Sequence, residues 1–480
     1  MKRIAFRHDP GGVYLGHGFP WTVRHRQRFD RAVSEDLAQP SDVGLWTLQG
    51  LEGMGEPVRL DARLLEQHVF LCGATGCGKT RLMELMALQA VARGDAVAVI
   101  DPKGDRAMRS RLRPALRVAP HEPHATPYNP LERFDEPRQI ADRVAAMLPA
   151  DGEAAAFRNF AWEVVASVAA GMAAAEEPMT LERLRRFAFG ATDELARRVL
   201  KRLAPTLSLG EYERRRAQNT AAPVPGVDGL LELLRHPREH FLKLASALGA
   251  ALSKLTAGGL RRALSEPGFS WDRLMREGGT ALLEIPFLRG ADTARAVARL
   301  ALVDLQHAIA RRPPGGRRLS LFIDEFSDLA MPEFIDVLNK ARSQGVAITV
   351  ATQTFSDLRA ALGSEARAQQ VIGNASTIVQ FRTHDETDAE LFSKLAGREP
   401  ARVVSRSHSF EPALFSSGSK YVDDYRATFT THTQVRDEEV VPPYLLHQLP
   451  NLHAFARVGG RLCKLMVPVI EGGDEAPCGS

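Results

Sequence analysis

A chain of 480 residues is too long for one ordinary hydrophobic core and predicts two or three folded units. Its composition, 44% hydrophobic and 25% charged, excludes a disordered or fibrous chain. The formal charge of +4 is too small over this length to make the whole surface a polyanion binder, so any basic surface must be local. Cys72, Cys77, Cys463 and Cys478 show no CxxC and no regular spacing, so they predict neither a disulfide framework nor a zinc site and fit a reducing compartment. The N-terminus lacks the apolar core of a signal peptide. The longest uncharged apolar run, Val164–Ala175, is bracketed by Glu163 and Glu176. At about 12 residues it falls short of the roughly 20 that span a bilayer.

In chain order, residues 1–60 carry short strand-like pieces at Gly12–Phe19 and Gly44–Leu51 and read as a lead-in or small module. Residues 61–135 read as the first part of a nucleotide-binding domain. There an apolar run (His68–Gly73), a glycine-rich loop, a helix-period stretch (Thr80–Arg93) and a second apolar run (Asp95–Asp101) follow one another. Short apolar strands alternating with amphipathic helices predict a mainly parallel sheet covered on both faces. Strand signals vanish over 136–275, where Ala, Leu, Arg and Glu recur at helical spacing through Gln139–Leu148, Ala156–Ala174, Leu181–Phe189, Asp193–Leu203 and Gly229–Leu264; this predicts an all-α insertion. The α/β pattern resumes over 276–470, with strands at Thr280–Phe287, Leu319–Asp324, Val346–Thr352 and Thr377–Phe381, a helix at Asp292–Arg311 and a strand pair within Ala454–Val469. Residues 471–480 read as a loose tail.

The strongest local signal is Gly73-Ala74-Thr75-Gly76-Cys77-Gly78-Lys79-Thr80, a full GxxxxGK[ST] pattern between an apolar strand and a helix. Glycines let backbone N–H groups turn inward around phosphate oxygens, and the helix N-terminus adds free donors. Lys79 would meet the β- and γ-phosphates of ATP, and Thr80 would offer its hydroxyl to Mg²⁺. A second acidic site is expected at Asp324-Glu325, the C-terminal end of the apolar run Leu319–Ile323, because ligands of open α/β sheets bind at that edge. Asp324 would hold a water on Mg²⁺ and Glu325 would polarise the attacking water. Gln353, ending VAITVATQ, would bring an amide near the γ-phosphate; an ordinary strand-end polar residue is the other reading. Arg342, in NKARSQG, would reach a neighbouring subunit's ATP as an arginine finger in a ring; a surface or interhelix salt bridge is the alternative. Lys103 in Asp101-Pro102-Lys103-Gly104-Asp105 would face the nucleotide edge, unless this is a plain turn. Cys77, beside Lys79 and a helix N-terminus, is expected either to have a lowered thiol pKa or simply to be a small residue that fits.

These residues together resemble the type IV coupling proteins of conjugative DNA transfer, the TraD/TraG branch of the FtsK/HerA superfamily of DNA motors. The resemblance rests on GATGCGKT, DPKGD, Asn129-Pro130-Leu131, LFIDEF, ATQ, Gly373-Asn374, the helical insertion and YLGHGFPWT (Tyr14–Thr22), and covers about Gly12 to Ile470. It implies a RecA-like P-loop NTPase fold with an all-α inserted domain, assembled as a homo-hexamer around DNA, with single-stranded DNA favoured. It further implies ATP hydrolysis with Mg²⁺, delivery of DNA or a relaxase–DNA complex to a type IV secretion channel, and a helical domain that receives this cargo. Under it Lys79 and Thr80 match the Walker A pair, Asp324 and Glu325 the Walker B pair, Gln353 the sensing glutamine and Arg342 the arginine finger. Family members usually carry an N-terminal membrane anchor that this sequence does not show. The expected location is therefore cytoplasmic or peripheral at the inner membrane, with membrane contact only through a partner. The alternatives are a HerA- or FtsK-like motor in repair, segregation or defence, and a slow nucleotide-switched adaptor for DNA and protein; Glu325 argues against the adaptor.

Overall fold

The computed structural model describes residues 12–34, 55–112, 115–122, 124–148, 154–285, 287, 290–412 and 425–469. The expected strand-like piece at 44–51 and the tail at 471–480 lie outside the described residues. The strands, in chain order, are β1 (Val13–Pro20), β2 (Glu56–Leu60), β3 (Val69–Cys72), β4 (Ala96–Asp101), β5 (Leu116–Val118), β6 (Gly279–Glu284), β7 (Leu319–Ile323), β8 (Val346–Thr352), β9 (Thr377–Phe381), β10 (Arg398–Pro412), β11 (Tyr425–Glu439), β12 (His453–Val458) and β13 (Arg461–Met466).

Every residue of β3, β4, β7 and β8 is buried, which is why these segments are apolar almost without interruption instead of alternating. They form the middle of an 11-stranded sheet of order β2-β1-β13-β12-β9-β3-β8-β7-β4-β6-β5. The strands from β9 to β5 pair in parallel, and β12, β13, β1 and β2 extend one side in antiparallel fashion. The lead-in strand β1 thus pairs with β13 and closes the same sheet as the core.

Alternate residues of the central strands serve two layers. Val97 and Val99 pack with Leu82, Leu85 and Met86 of the helix Lys79–Ala92. Ala96, Ala98 and Ile100 face the other side, where the helix Ala291–Ala310 and helices of the inserted stretch share one apolar cluster. From Arg138 to Glu277 the described residues hold helices and no strand. Thr180, Ser208 and Ser270 cap their helices by accepting a backbone N–H. The apolar run around Val164 buries Val164, Val165, Val168, Ala169 and Met172 inside the helix Ala154–Ala174. No helix among the described residues is long and apolar enough to cross a membrane.

Three features depart from the expected elements. The stretch 229–264 is four helices, Asp228–Arg235, Arg238–Leu244, Ser246–Leu255 and Gly258–Ala263, the first break falling where Pro237 cannot supply a helical N–H. The short edge strand β5 follows β4 and pairs with β6. A two-stranded ribbon, β10–β11, stands apart from the main sheet; its alternation is Ser, Thr and Arg with few apolar residues, so it carries no core-facing pattern.

Candidate nucleotide-binding site

The order β3-β8-β7-β4 places four chain segments side by side at the C-terminal edge of the parallel strands: the loop after β3, Gln353 after β8, Asp324-Glu325 after β7 and the turn ending β4. The loop Gly73–Gly78 leads directly into the helix Lys79–Ala92. A side chain at Gly73 would put its Cβ 2.7 Å from Phe381 Cβ, and Gly76 has φ 78°, so glycine is required at the first position for space and at the second for conformation. The loop is tied down at both ends. The Ala74 N–H donates to Arg382 O at 2.7 Å and the Leu452 N–H donates to Cys77 O at 2.8 Å.

Lys79 is buried and its ammonium donates to the loop's own carbonyls, Gly73 O at 2.5 Å and Ala74 O at 3.1 Å. Thr80 Oγ1 donates to Asp324 Oδ2 at 3.0 Å, so the expected metal-facing pair does come together. Burial raises the Asp324 carboxyl above its usual range and the nearby Lys103 charge opposes that rise. Glu325 is buried and sits in the left-handed region at φ 44°, unusual for a residue with a side chain, and its N–H donates to Asp324 Oδ1 at 2.9 Å. The strained turn aims its carboxylate along the edge. Gln353 Nε2 donates to one oxygen at 3.1 Å and the Lys103 ammonium binds the other. Thr75 Oγ1 donates to Gln353 Oε1 at 3.1 Å. One hydrogen-bonded chain therefore runs Thr75–Gln353–Glu325–Lys103, from the phosphate loop to the β4 turn.

That β4 turn is built by Asp101, whose carboxylate accepts the N–H groups of Lys103 at 2.8 Å and Asp105 at 2.5 Å. Burial works against the Lys103 ammonium, but its bond to Glu325 and the Glu325, Asp324 and Asp101 charges together hold its pKa above the ordinary value. Lys103 does face the nucleotide edge, and its partner is Glu325. Sequence reasoning missed that pairing, and it also missed Asp388. This buried carboxyl lies under the loop, accepts the Phe355 N–H at 2.7 Å, the Cys72 thiol at 3.5 Å and the Thr383 hydroxyl at 3.2 Å, and is raised by burial to about 6.

Two further expected residues are Arg342 and Cys77. Arg342 is exposed in the turn Arg342–Gln344 just before β8, at the N-terminal edge of the sheet, and is not brought to this chain's own phosphate loop. Its charge is felt instead by His68, which precedes β3 at that same edge. The Cys77 thiol is fully buried, and burial raises its pKa despite the opposing Lys79 charge. Of the two readings offered for Cys77, the small residue that fits is the one the structure supports.

The fold and this edge define a RecA-like P-loop nucleotide-binding architecture. Two family models match the chain: the type IV secretion-system coupling protein DNA-binding domain over residues 56–241, and the TraM recognition site of TraD and TraG over residues 318–451. Solved structures agree in fold. The unbound conjugative coupling protein TrwBdeltaN70 superposes with a TM-score of 0.60 at 21% identity, covering 87% of this chain and 88% of that one. Plasmid coupling protein TrwB in complex with ADP and Mg²⁺ gives 0.60 at 20% identity over 87% and 88%. VirB4 of Thermoanaerobacter pseudethanolicus gives 0.51 at 13% identity over 98% of each chain. No curated protein matches. In those two segments, residues 56–241 and 318–451, the chain is similar to type IV coupling proteins.

Proposed function

We propose that this chain is an ATP-hydrolysing DNA translocase that delivers DNA, or a relaxase–DNA complex, to a type IV secretion channel. The observation that carries the reading is the meeting of Thr80 and Asp324 at 3.0 Å beside the buried Lys79, with Glu325 next in line. Those oxygens suit Mg²⁺, which keeps several waters and needs few protein ligands. Lys79 would turn its ammonium from the loop carbonyls to the phosphates of ATP, and Thr80 and Asp324 would hold Mg²⁺, which supplies charge neutralisation for phosphoryl transfer. Glu325, held by Gln353 and Lys103, would release one of these bonds to polarise the attacking water; Gln353 would report the γ-phosphate to the loop through Thr75. Arg342 would act from a neighbouring copy in a homo-hexamer, since it lies far from its own loop. The chain would divide as 1–60 lead-in, 61–135 and 276–470 motor, 136–275 cargo-facing helical insertion and 471–480 tail, with membrane contact through a partner.

The test is ATPase rate against added single- and double-stranded DNA, with particle size followed in nucleotide. Single-stranded DNA should raise turnover, and Lys79→Ala should abolish it with the fold intact. Arg342→Ala should recover activity when mixed with Lys79→Ala subunits. Turnover indifferent to any DNA, or unchanged by Lys79→Ala, would refute the reading.

A further inference from the structure

The ribbon β10–β11 has no place in the nucleotide site. Each strand is 15 residues, so the ribbon is about 50 Å long. Its root is clamped by the helix Val23–Ser34: the Val23 N–H donates to Glu399 Oε2 at 3.1 Å, Arg26 Nη1 donates to Glu439 O at 2.8 Å and Arg26 also pairs with Glu438. Trp21 Nε1 donates to Val440 O at 3.0 Å. Among the described residues, hydrogen bonds from the rest of the fold stop at Gln27 Nε2 donating to Arg402 O at 3.3 Å. Beyond that point a two-stranded ribbon standing alone is marginal in water and calls for a partner.

Its chemistry names one. The acids Glu399, Asp437, Glu438 and Glu439 are at the root. Over 401–410 and 426–436 the sequence has Arg402, Arg406, Arg426 and Arg436, His408 and His432, and no Asp or Glu; Glu411 follows opposite Arg426. Cross-strand partners share a face. One face presents Arg402 with Val435, Val404 with Thr433, position 406 with Thr431, and His408 with Phe429. Phe429 is 68% exposed and stands edge-on to the His408 ring at 4.9 Å between centroids. The opposite face presents Arg436, Gln434, Ser405 with His432, Ser407 with Thr430 and Ser409 with Thr428. Guanidinium groups, hydroxyl donors and an exposed ring, with no carboxylate between them, form a surface for a phosphodiester chain with unstacked bases. An apolar protein partner would instead find Val404, Phe429 and Val435 interrupted by Arg and Thr.

We propose that the β10–β11 ribbon is a second nucleic-acid contact, binding single-stranded DNA with a phosphate on Arg402 and a base on Phe429, which share one face. This rests on the DNA-translocase reading and adds to it a site outside the segment matched as a DNA-binding domain. The test is fluorescence anisotropy of the full chain with a labelled single strand and a duplex of the same sequence, across a salt series. Arg402→Gln should reduce the single-strand salt slope by about 0.7. Phe429→Thr, which keeps a strand-forming residue, should weaken single-strand binding about five-fold or more, leave the slope alone and change duplex binding less. Melting temperatures matching the unaltered chain would show that the variants fold. If the unaltered chain binds DNA and the variants bind equally well, the ribbon is no DNA contact. Equal losses on duplex would overturn base stacking. A smaller assembly for Phe429→Thr in sedimentation, with DNA affinity kept, would make the ribbon a contact between copies and overturn the proposal. If the unaltered chain binds no DNA at all, the translocase reading itself fails, and the ribbon's ligand with it.

Discussion

Two groups of buried charges are built on opposite plans. At the nucleotide edge, Asp101, Asp324 and Glu325 are buried in the sheet's end, yet half of their partners are side chains that can leave: Lys103 is half-exposed, and Thr80 and Gln353 come from the loop edge. Behind the sheet, where the inserted helices join it, Asp304 is enclosed on all sides. Tyr128 Oη donates to it at 2.7 Å, Arg143 pairs with it at 3.2 Å, and Trp271 Nε1 donates to Tyr128 Oη at 3.2 Å. Arg143, fully buried, also donates to Pro130 O at 2.9 Å and to His307 Nδ1 at 3.2 Å. Burying charge costs about as much in either place. The first cluster retains partners that a substrate can replace; the second has none to spare and fixes the insertion to the motor. Burial of charge alone therefore does not mark a site, and exchangeability of the partners does.

The largest expected break falls in the first cluster. Glu325→Gln keeps the size and the hydrogen-bonding reach of the side chain but cannot accept a proton. ATP affinity should hold while turnover drops by about 10²-fold or more. Equilibrium binding of a labelled ATP analogue, beside steady-state phosphate release, separates the two. Turnover within a few-fold of the unaltered chain would remove Glu325 from the proposed chemistry.

The phosphate loop and the acidic strand end were legible because each is a contiguous pattern whose chemistry is local. What joins them was not. Lys103 and Glu325 meet only because β4 lies beside β7, a sheet order that no stretch of sequence states. The left-handed turn at Glu325 carries no glycine to announce it. Asn129-Pro130-Leu131 stood out as a family pattern, but its physical task shows only in the fold: Asn129 Nδ2 donates to Met179 O at 2.9 Å, its Oδ1 accepts the Leu131 N–H at 3.0 Å, and Pro130 O receives Arg143. Arg143 itself is one arginine among many in a helical stretch, and nothing in its neighbours signals a wholly buried side chain. The ribbon escaped because, beyond its clamped root, it has no apolar face to read.

In the second cluster the expected effect is on stability. Arg143→Met fills most of the volume but removes the charge opposite Asp304 and two hydrogen bonds, to Pro130 and His307. Breaking one side of a buried pair costs about 3–5 kcal/mol, so denaturant unfolding should move by that much with ATP affinity unchanged. A loss under ~1 kcal/mol, or a parallel loss of nucleotide binding, would erase the contrast between the two clusters.

The finest cut uses pH. His307 is held down to about 4, first by burial and then by the Arg143 charge, with Arg311 acting the same way and Asp142 and Asp135 opposing. The unfolded chain takes up a proton near the ordinary value of about 6.5 while the folded chain refuses it until about 4, so stability from this group is lost as pH falls through that window. Asp304 titrates in the opposite sense, because burial raises it to about 6 and the folded chain therefore gains a proton first on acidification. The two groups offset each other between pH 6 and pH 4. His307→Gln removes only one of them. Near pH 7.5 the variant should be less stable by ~1 kcal/mol, the worth of the hydrogen bond from Arg143. On acidification it should gain on the unaltered chain by up to ~2 kcal/mol once solvent screening at the partly exposed ring is discounted, and the two stability curves should cross. Asp304 is present in both and drops out of the difference. Parallel melting curves from pH 7.5 to pH 4.5 would mean that His307 is free to protonate in the folded chain, and hence that the cluster is more open to water than its closed bonding implies.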